Sequence, residues 1–215
     1  MPIFRRRFDQ DYYDSLIYRT DPRSPRNRMR LDLVLAHMPR GRWLDIGIGR
    51  GDLIRLAAAT FDVRGMDVSP HAASGLPAEI RKRVTVGDIE TTQIPEPTYD
   101  VVTAFNILEH LRCPLAVIRK VRGALKPGGV FIGSMPSNTH IIGTLHTAIT
   151  NYFDKTHRSC YKVPTWRKAF SKAGFGDARF FGEVMLDGVI CKYIDSPLWP
   201  HIALNLMFVA RNAPD

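Results

Sequence analysis

The stretch LDIGIGRGD, Leu44 to Asp52, constrains this chain more than any other. It sets glycines at 47, 49 and 51 between the apolar run RWLDI, which reads as a strand, and the run DLIRLAAAT, which reads as a helix. A strand, a glycine bend and a helix in that order begin a βα unit, and the alternation continues downstream. FDVRGMDV, VTVGD, YDVVTAF and VFIGSM read as further strands, and PLAVIRKVRGAL as a helix between the last two. Such alternation predicts an α/β protein built on a parallel, doubly wound sheet.

Punctuation residues mark the boundaries. Ser24 with Pro25 predicts the start of a helix carrying Leu31, Val34, Leu35 and Met38 at helical spacing, preceded by another helix nearer the N-terminus. Ser69-Pro70 repeats the same signal, and Lys126-Pro127-Gly128-Gly129 predicts a helix stop and a tight turn. Beyond Pro136 the pattern loosens into a helix near Ile141 to Phe153, a helix from about Pro164, and strands near Ala178 to Leu186 and Ala203 to Ala210.

Composition bounds the rest. A chain of 215 residues with 45% hydrophobic and 24% charged residues fits one globular domain. Its first residues, MPIFRRRFDQ, carry three arginines and no apolar core of the kind a secretory signal needs. No run of about 18 apolar residues predicts a transmembrane segment. Cys113, Cys160 and Cys191 are odd in number and widely spaced, so neither a disulfide framework nor a CxxC metal site is expected, and the cytoplasm is the expected compartment. The net charge of +9 is concentrated at the start, where residues 1 to 42 hold ten Arg against five Asp. That excess suits either a solvated arginine-rich face or a cap over an anionic partner.

The glycine spacing decides the class of ligand. A dinucleotide site calls for GxGxxG, so that the helix N-terminus meets a pyrophosphate; this chain has GxGxG. A phosphate-free ligand made of an amino acid and a nucleoside needs the glycines so that backbone can pass close beneath it. Asp45 at the first strand end is placed to receive an ammonium, Asp67 in GMDVSP a ribose diol, and Asp88 in VTVGDIE the exocyclic amine of adenine, with Ile89 against the ring. Parallel strands deliver their carboxyl ends to one edge, so the three acids face one crevice.

In order and content, LDIGIGRGD, GMDVSP, GDIE, YDVVTAFNILEHL and LKPGGVFIGSMPS resemble the successive motifs of class I S-adenosylmethionine-dependent methyltransferases, in particular the small-molecule branch that includes quinone-biosynthesis enzymes. The resemblance covers roughly residues 42 to 136. It implies a Rossmann-like, mostly parallel seven-stranded sheet with an antiparallel last strand, supplied by HIALNLMFVARN, and an N-terminal helical cap over residues 1–41. It implies a cofactor-binding core at 42–136, an acceptor-side insertion at 137–165, and C-terminal strands and helix at 166–215. It also implies S-adenosylmethionine as cofactor and S-adenosylhomocysteine as its product. Asp45, Gly47, Gly49 and Gly51 would surround the methionine part, Asp67 and Val68 the ribose, Asp88 and Ile89 the adenine, with Phe105 and Asn106 beside the sulfonium.

Methyl transfer from a sulfonium needs chiefly positioning, and a general base only where the acceptor loses a proton. His110 in NILEHL and His157 in DKTHRSCY are the candidate bases. His157 stands in a polar cluster with Asp154 and Tyr161, while His110 serves equally as a structural or cofactor-side partner. Relatives that bind a divalent metal resemble this chain at Glu109 and His110 but carry an acid where it has Asn106, so no metal is expected. The reading is transfer to O or N of a small-molecule acceptor, which the basic N-terminus suits if it is anionic. The alternatives are an RNA methyltransferase and a non-catalytic module that only binds S-adenosylmethionine. Neither the Asn/Asp-Pro-Pro-aromatic run nor the Pro-Cys pair of nucleic-acid base methylation follows the fourth strand.

Overall fold

The computed structural model describes residues 24–139, 141–153, 156–186, 190–195 and 203–213. The helix expected before Ser24 and the candidate Asp154 lie outside these residues. In chain order the elements are α1 (Pro25–His37), β1 (Arg42–Ile46), α2 (Asp52–Ala57), β2 (Asp62–Asp67), α3 (Ala78–Arg81), β3 (Val84–Val86) and β4 (Tyr99–Phe105). There follow a 3₁₀ turn (Leu108–His110), α4 (Pro114–Ala124), β5 (Leu125–Pro136), α5 (Ile141–Phe153), α6 (Val163–Lys172), β6 (Ala178–Leu186), β7 (Ile190–Ile194) and β8 (Asn205–Arg211).

The strands form one sheet in the order β3-β2-β1-β4-β5-β8-β6-β7. The first five pair in parallel, and β8 inserts antiparallel between β5 and β6. The sheet therefore has eight strands rather than the expected seven. The extra one is β7, which folds back on β6 from Gly182↔Ile194 to Leu186↔Ile190 and takes the edge. Its sequence, ICKYI, is too short and too mixed to announce itself by periodicity.

Alternate residues of the central strands enter two cores because both faces of the sheet are covered. Leu44, Val102, Phe131, Phe180 and Phe208 face α4 and α6, meeting Val117, Ile118, Val121, Trp166 and Phe170. Their neighbours Trp43, Val101, Ile132, Phe181 and Met207 face α1 and α2, meeting Val34, Leu53 and Ile54. This two-sided burial explains the nearly unbroken apolar run of β4.

Helix α1 begins as its caps predict: Ser24 Oγ accepts the Asn27 N–H and Pro25 occupies the first turn. Two other signals resolve differently. Ser69 accepts the His71 N–H, but residues 70–75 form turns and only the four-residue α3 follows, because Gly75 and Pro77 interrupt the run. Lys126 to Gly129 bulge within β5, between the pairings Tyr99↔Leu125 and Val101↔Val130, where Gly128 takes φ +80° and donates to Asn212.

Candidate functional site

The bend between β1 and α2 is left-handed at all three glycines, with φ of +76° at Gly47, +54° at Gly49 and +75° at Gly51. Side chains are disfavoured there by the backbone, and at Gly47 and Gly51 by lack of room as well. A Cβ on Gly47 would fall on Ile107, and one on Gly51 on Leu76. Among the described residues, a Cβ on Gly49 would meet nothing within 4 Å, so open space lies directly over this part of the bend. The Gly49 N–H donates to Asp67 Oδ2 (3.1 Å) and the Ser69 N–H to Oδ1 (2.9 Å), tying the ends of β1 and β2 together. Val68, between them, is half-buried.

Asp45 is buried at the end of β1. Its Oδ1 accepts from Thr103 Oγ1 at 2.6 Å, and Thr103 in turn accepts from Trp43 Nε1 at 2.7 Å. Burial raises the Asp45 carboxyl to a pKa of about 7, although the Thr103 hydroxyl and the charge of Arg30 pull the other way. At the third strand, Asp88 heads the loop after β3, with Oδ1 accepting the Glu90 N–H, and Ile89 is buried. The three acids predicted to share a crevice thus stand at the carboxyl ends of adjacent parallel strands.

Arg30, on α1, is a site residue not anticipated from the sequence. Its guanidinium lies 4.3 Å from the centroid of the Phe105 ring. Nε and Nη2 are enclosed and, among the described residues, have no hydrogen-bond partner. Burial, and then the neighbouring Arg26, bring its pKa down to about 10, so it is still cationic at neutral pH. Arg26, one turn earlier, is held by Glu183 of β6 through Nε (3.2 Å) and Nη2 (2.7 Å), and Asn205 Nδ2 also donates to Glu183 (2.9 Å). Burial pushes the Glu183 carboxyl up, but Arg26 and Arg30 outweigh it and hold it below the usual range. The available signal was helical spacing: Arg26, Asn27, Arg30 and Val34 fall on one face of α1, and Val34 is fully buried.

Phe105 ends β4, and Asn106 follows at φ +56°, with its N–H on Ser134 O and its Oδ1 accepting from Ser134 Oγ. Asparagine tolerates this conformation better than most residues, a local reason for its presence here. The 3₁₀ turn then carries Glu109 and His110, both buried. Arg158 and Ser159 donate their N–H groups to Glu109 O, and Ser159 Oγ donates to Leu111 O. Thr156 Oγ1 lies 2.7 Å from His110 Nδ1, and the His110 and His157 rings are 4.8 Å apart. The two candidate bases therefore meet, and Tyr161 reaches the same segment through a hydroxyl contact with Ser159. Ligand atoms of Glu109, His110 and His157 lie within 4.8 Å of one another, and among the described residues this is the group close enough to hold a metal ion.

Since Asp67 braces the bend, Asp67→Asn is expected to lower cofactor affinity about ten- to a hundredfold, as losing charge-assisted bonds worth about 1.5 to 3 kcal/mol implies. Isothermal titration with S-adenosylhomocysteine measures this, and an unchanged dissociation constant would remove Asp67 from the site.

A methyltransferase domain family matches residues 13–178. The ubiquinone biosynthesis O-methyltransferase of Xanthomonas campestris pv. campestris (strain B100) is 33% identical over 122 residues, covering 53% of this chain and 51% of that protein. That of Bordetella avium (strain 197N) is 35% identical over 126 residues, covering 52% and 51%. The chain thus spans about half the length of these curated relatives. Among solved structures, a SAM dependent methyltransferase from Archaeoglobus fulgidus superposes with a TM-score of 0.71 at 18% identity, covering 94% of this chain and all of that one (100%). Haemonchus contortus phosphoethanolamine N-methyltransferase 2, solved with phosphomonomethylethanolamine and S-adenosylhomocysteine, gives 0.61 at 25% identity over 71% of this chain and 38% of that one. With the family match running from the N-terminal residues through the glycine bend and the histidine pair to the start of β6, the chain belongs to the methyltransferase domain family.

Proposed function

We propose that this chain transfers the methyl group of S-adenosylmethionine to an oxygen or nitrogen of a small-molecule acceptor, and that a hydroxyl oxygen is the favoured target. One observation carries the reading. Open space over a left-handed glycine bend is flanked by a buried carboxylate, Asp45, and by an enclosed guanidinium, Arg30, with unused donors. A zwitterionic amino-acid group answers both charges, with its ammonium toward Asp45 and its carboxylate toward Arg30. Asp67 stands one strand away for a ribose and Asp88 two strands away for adenine.

The bound sulfonium brings an activated methyl group and a neutral leaving group. What is left to the protein is to orient the acceptor, exclude water and, for a hydroxyl, accept its proton. Arg30 over Phe105 holds the donor end from the α1 side, while Asn106 and the 3₁₀ turn form the other wall. When His110 Nδ1 donates to Thr156, Nε2 retains the lone pair that a base requires, and His157 against its ring supplies the second candidate base. The names of the relatives support a small acceptor: one group is called O-methyltransferase of ubiquinone biosynthesis, and the structural neighbour was solved with phosphomonomethylethanolamine.

His157→Ala is expected to leave S-adenosylhomocysteine binding unchanged and to lower kcat/KM on a hydroxyl acceptor about 10²- to 10⁴-fold. Full turnover by the variant would exclude His157 as base, and absence of S-adenosylmethionine binding by the unmodified protein would sink the whole reading.

A further inference from the structure

Between β3 and β4 the chain runs from Gly87 to Thr98 without helix or strand, and its first residues include Asp88 and Ile89. The near end closes on itself. Asp88 Oδ1 accepts the Glu90 N–H, and Asp88 O accepts the N–H groups of Thr91 and Thr92. These bonds shape the turn but do not fix where it sits against the sheet. That position is set by α4.

Glu90 Oε1 accepts the N–H groups of Arg112 and Cys113, just before α4, at 3.1 and 2.8 Å. About two helical turns further on, Lys120 Nζ donates to Ile89 O (2.6 Å), Glu90 O (3.2 Å) and Thr92 O (3.0 Å). An ammonium has three protons and no acceptor, so the carbonyls of this one turn take up its whole donor capacity. At the far end, the Thr98 N–H donates to Ala124 O, and Glu96 lies against Gly123, where a Cβ would come within 2.7 Å of Oε1. The connection is thus fastened along one helix. A surface lysine ordinarily keeps its charge in water while its stem lies on apolar groups. Lys120 instead is half-buried and committed to main chain. Without its charge, three carbonyls converging on one point would repel one another and turn toward water, and the turn would open.

We propose that Lys120 is a positioning residue for the adenine end of the cofactor site, and that by gathering these carbonyls it sets selectivity for an aminopurine over an oxopurine. The inference rests on the reading above, in which Asp88 and Ile89 meet the adenine. With Asp88 Oδ1 spent on the Glu90 N–H, Oδ2 is the oxygen left for the exocyclic amine. An oxo group in that place would set an acceptor against the carboxylate, which is repulsive. Hydrogen bonds weaken steeply with displacement, so the discrimination lasts only while the turn is held in place.

Titration calorimetry of the whole protein with S-adenosylhomocysteine and with S-inosylhomocysteine, which has an oxo group where adenine has its amine, tests this. The unmodified protein should prefer the adenosyl compound at least about tenfold. Lys120→Met, which removes the ammonium and keeps most of the stem, should weaken S-adenosylhomocysteine about tenfold and narrow the preference to within about threefold. Lys120→Gln is the milder change, since it keeps a donor, and should fall between. Arg119→Met removes the neighbouring cation, whose bond is to Lys172 O at 3.5 Å, and should leave both affinities as they were. A Lys120→Met protein that melts earlier yet keeps the full preference would make the lysine a brace for the fold and overturn the proposal, as would an undiminished preference in Lys120→Gln. Equal affinity for the two compounds in the unmodified protein would overturn the placing of adenine at Asp88 and this inference with it. Affinity for neither would overturn the cofactor reading itself.

Discussion

Asp45→Asn is expected to raise the thermal midpoint of the unliganded protein at pH 8 and, in the same molecule, to weaken S-adenosylmethionine binding at least about tenfold. Both effects come from one buried carboxyl whose pKa is raised to about 7 from a reference value of 3.8. Because the folded value lies above the unfolded one, this group burdens the fold progressively as pH rises from about 4 to 7, and by a constant amount above that. At about 1.4 kcal/mol per unit, the burden is on the order of 4 kcal/mol. Asparagine keeps an oxygen for the Thr103 hydroxyl and removes the charge, so it relieves that burden. Binding runs the other way, since an ammonium needs the ionised form. Affinity of the unmodified protein should climb as pH passes through about 7 and then level, while the variant should show a flat, weak profile. Calorimetric melting and titration between pH 5.5 and about 8 measure both, and a variant that is destabilised throughout with undiminished affinity would refute the role given to Asp45.

Gly47→Ala should abolish cofactor binding and lower stability by about 2 to 5 kcal/mol. The new methyl would lie 1.9 Å from Ile107 Cδ1 on a backbone at φ +76°. Relief requires moving Ile107, which sits between Asn106 and the turn bearing Glu109 and His110. The damage therefore reaches both walls of the crevice. The contrasting substitution is Gly49→Ala, which meets open space and should cost only the strain of a left-handed alanine, about 1 to 2 kcal/mol. A denaturant melt that ranked the two alike would contradict the packing described for Ile107.

Much of the parallel half of this protein is legible in its residues because one rule governs it. Strands buried on both faces read as apolar runs, and the acids Asp45, Asp67 and Asp88 fall at or just past their carboxyl ends, as a parallel sheet predicts. The failures fall where no local rule applies. Strand β7 is a short edge strand whose pairing is set by β6, and Ser69-Pro70 starts a turn rather than a helix because Gly75 and Pro77 intervene. Arg30 was hidden among the arginines that precede β1, since composition cannot separate a solvated arginine from one stacked on Phe105. The pairing of His110 with His157 links residues from segments on either side of β5 and α5, and only the fold brings their rings together.

The latch between Arg26 and Glu183 joins residues 157 positions apart. Through it, one turn of α1 is registered against a strand of the antiparallel half of the sheet. A fragment of the chain without β6 would keep its glycine bend and still lose the carboxylate that holds Arg26, one turn before Arg30, so cofactor capture reports that both halves of the sheet have come together.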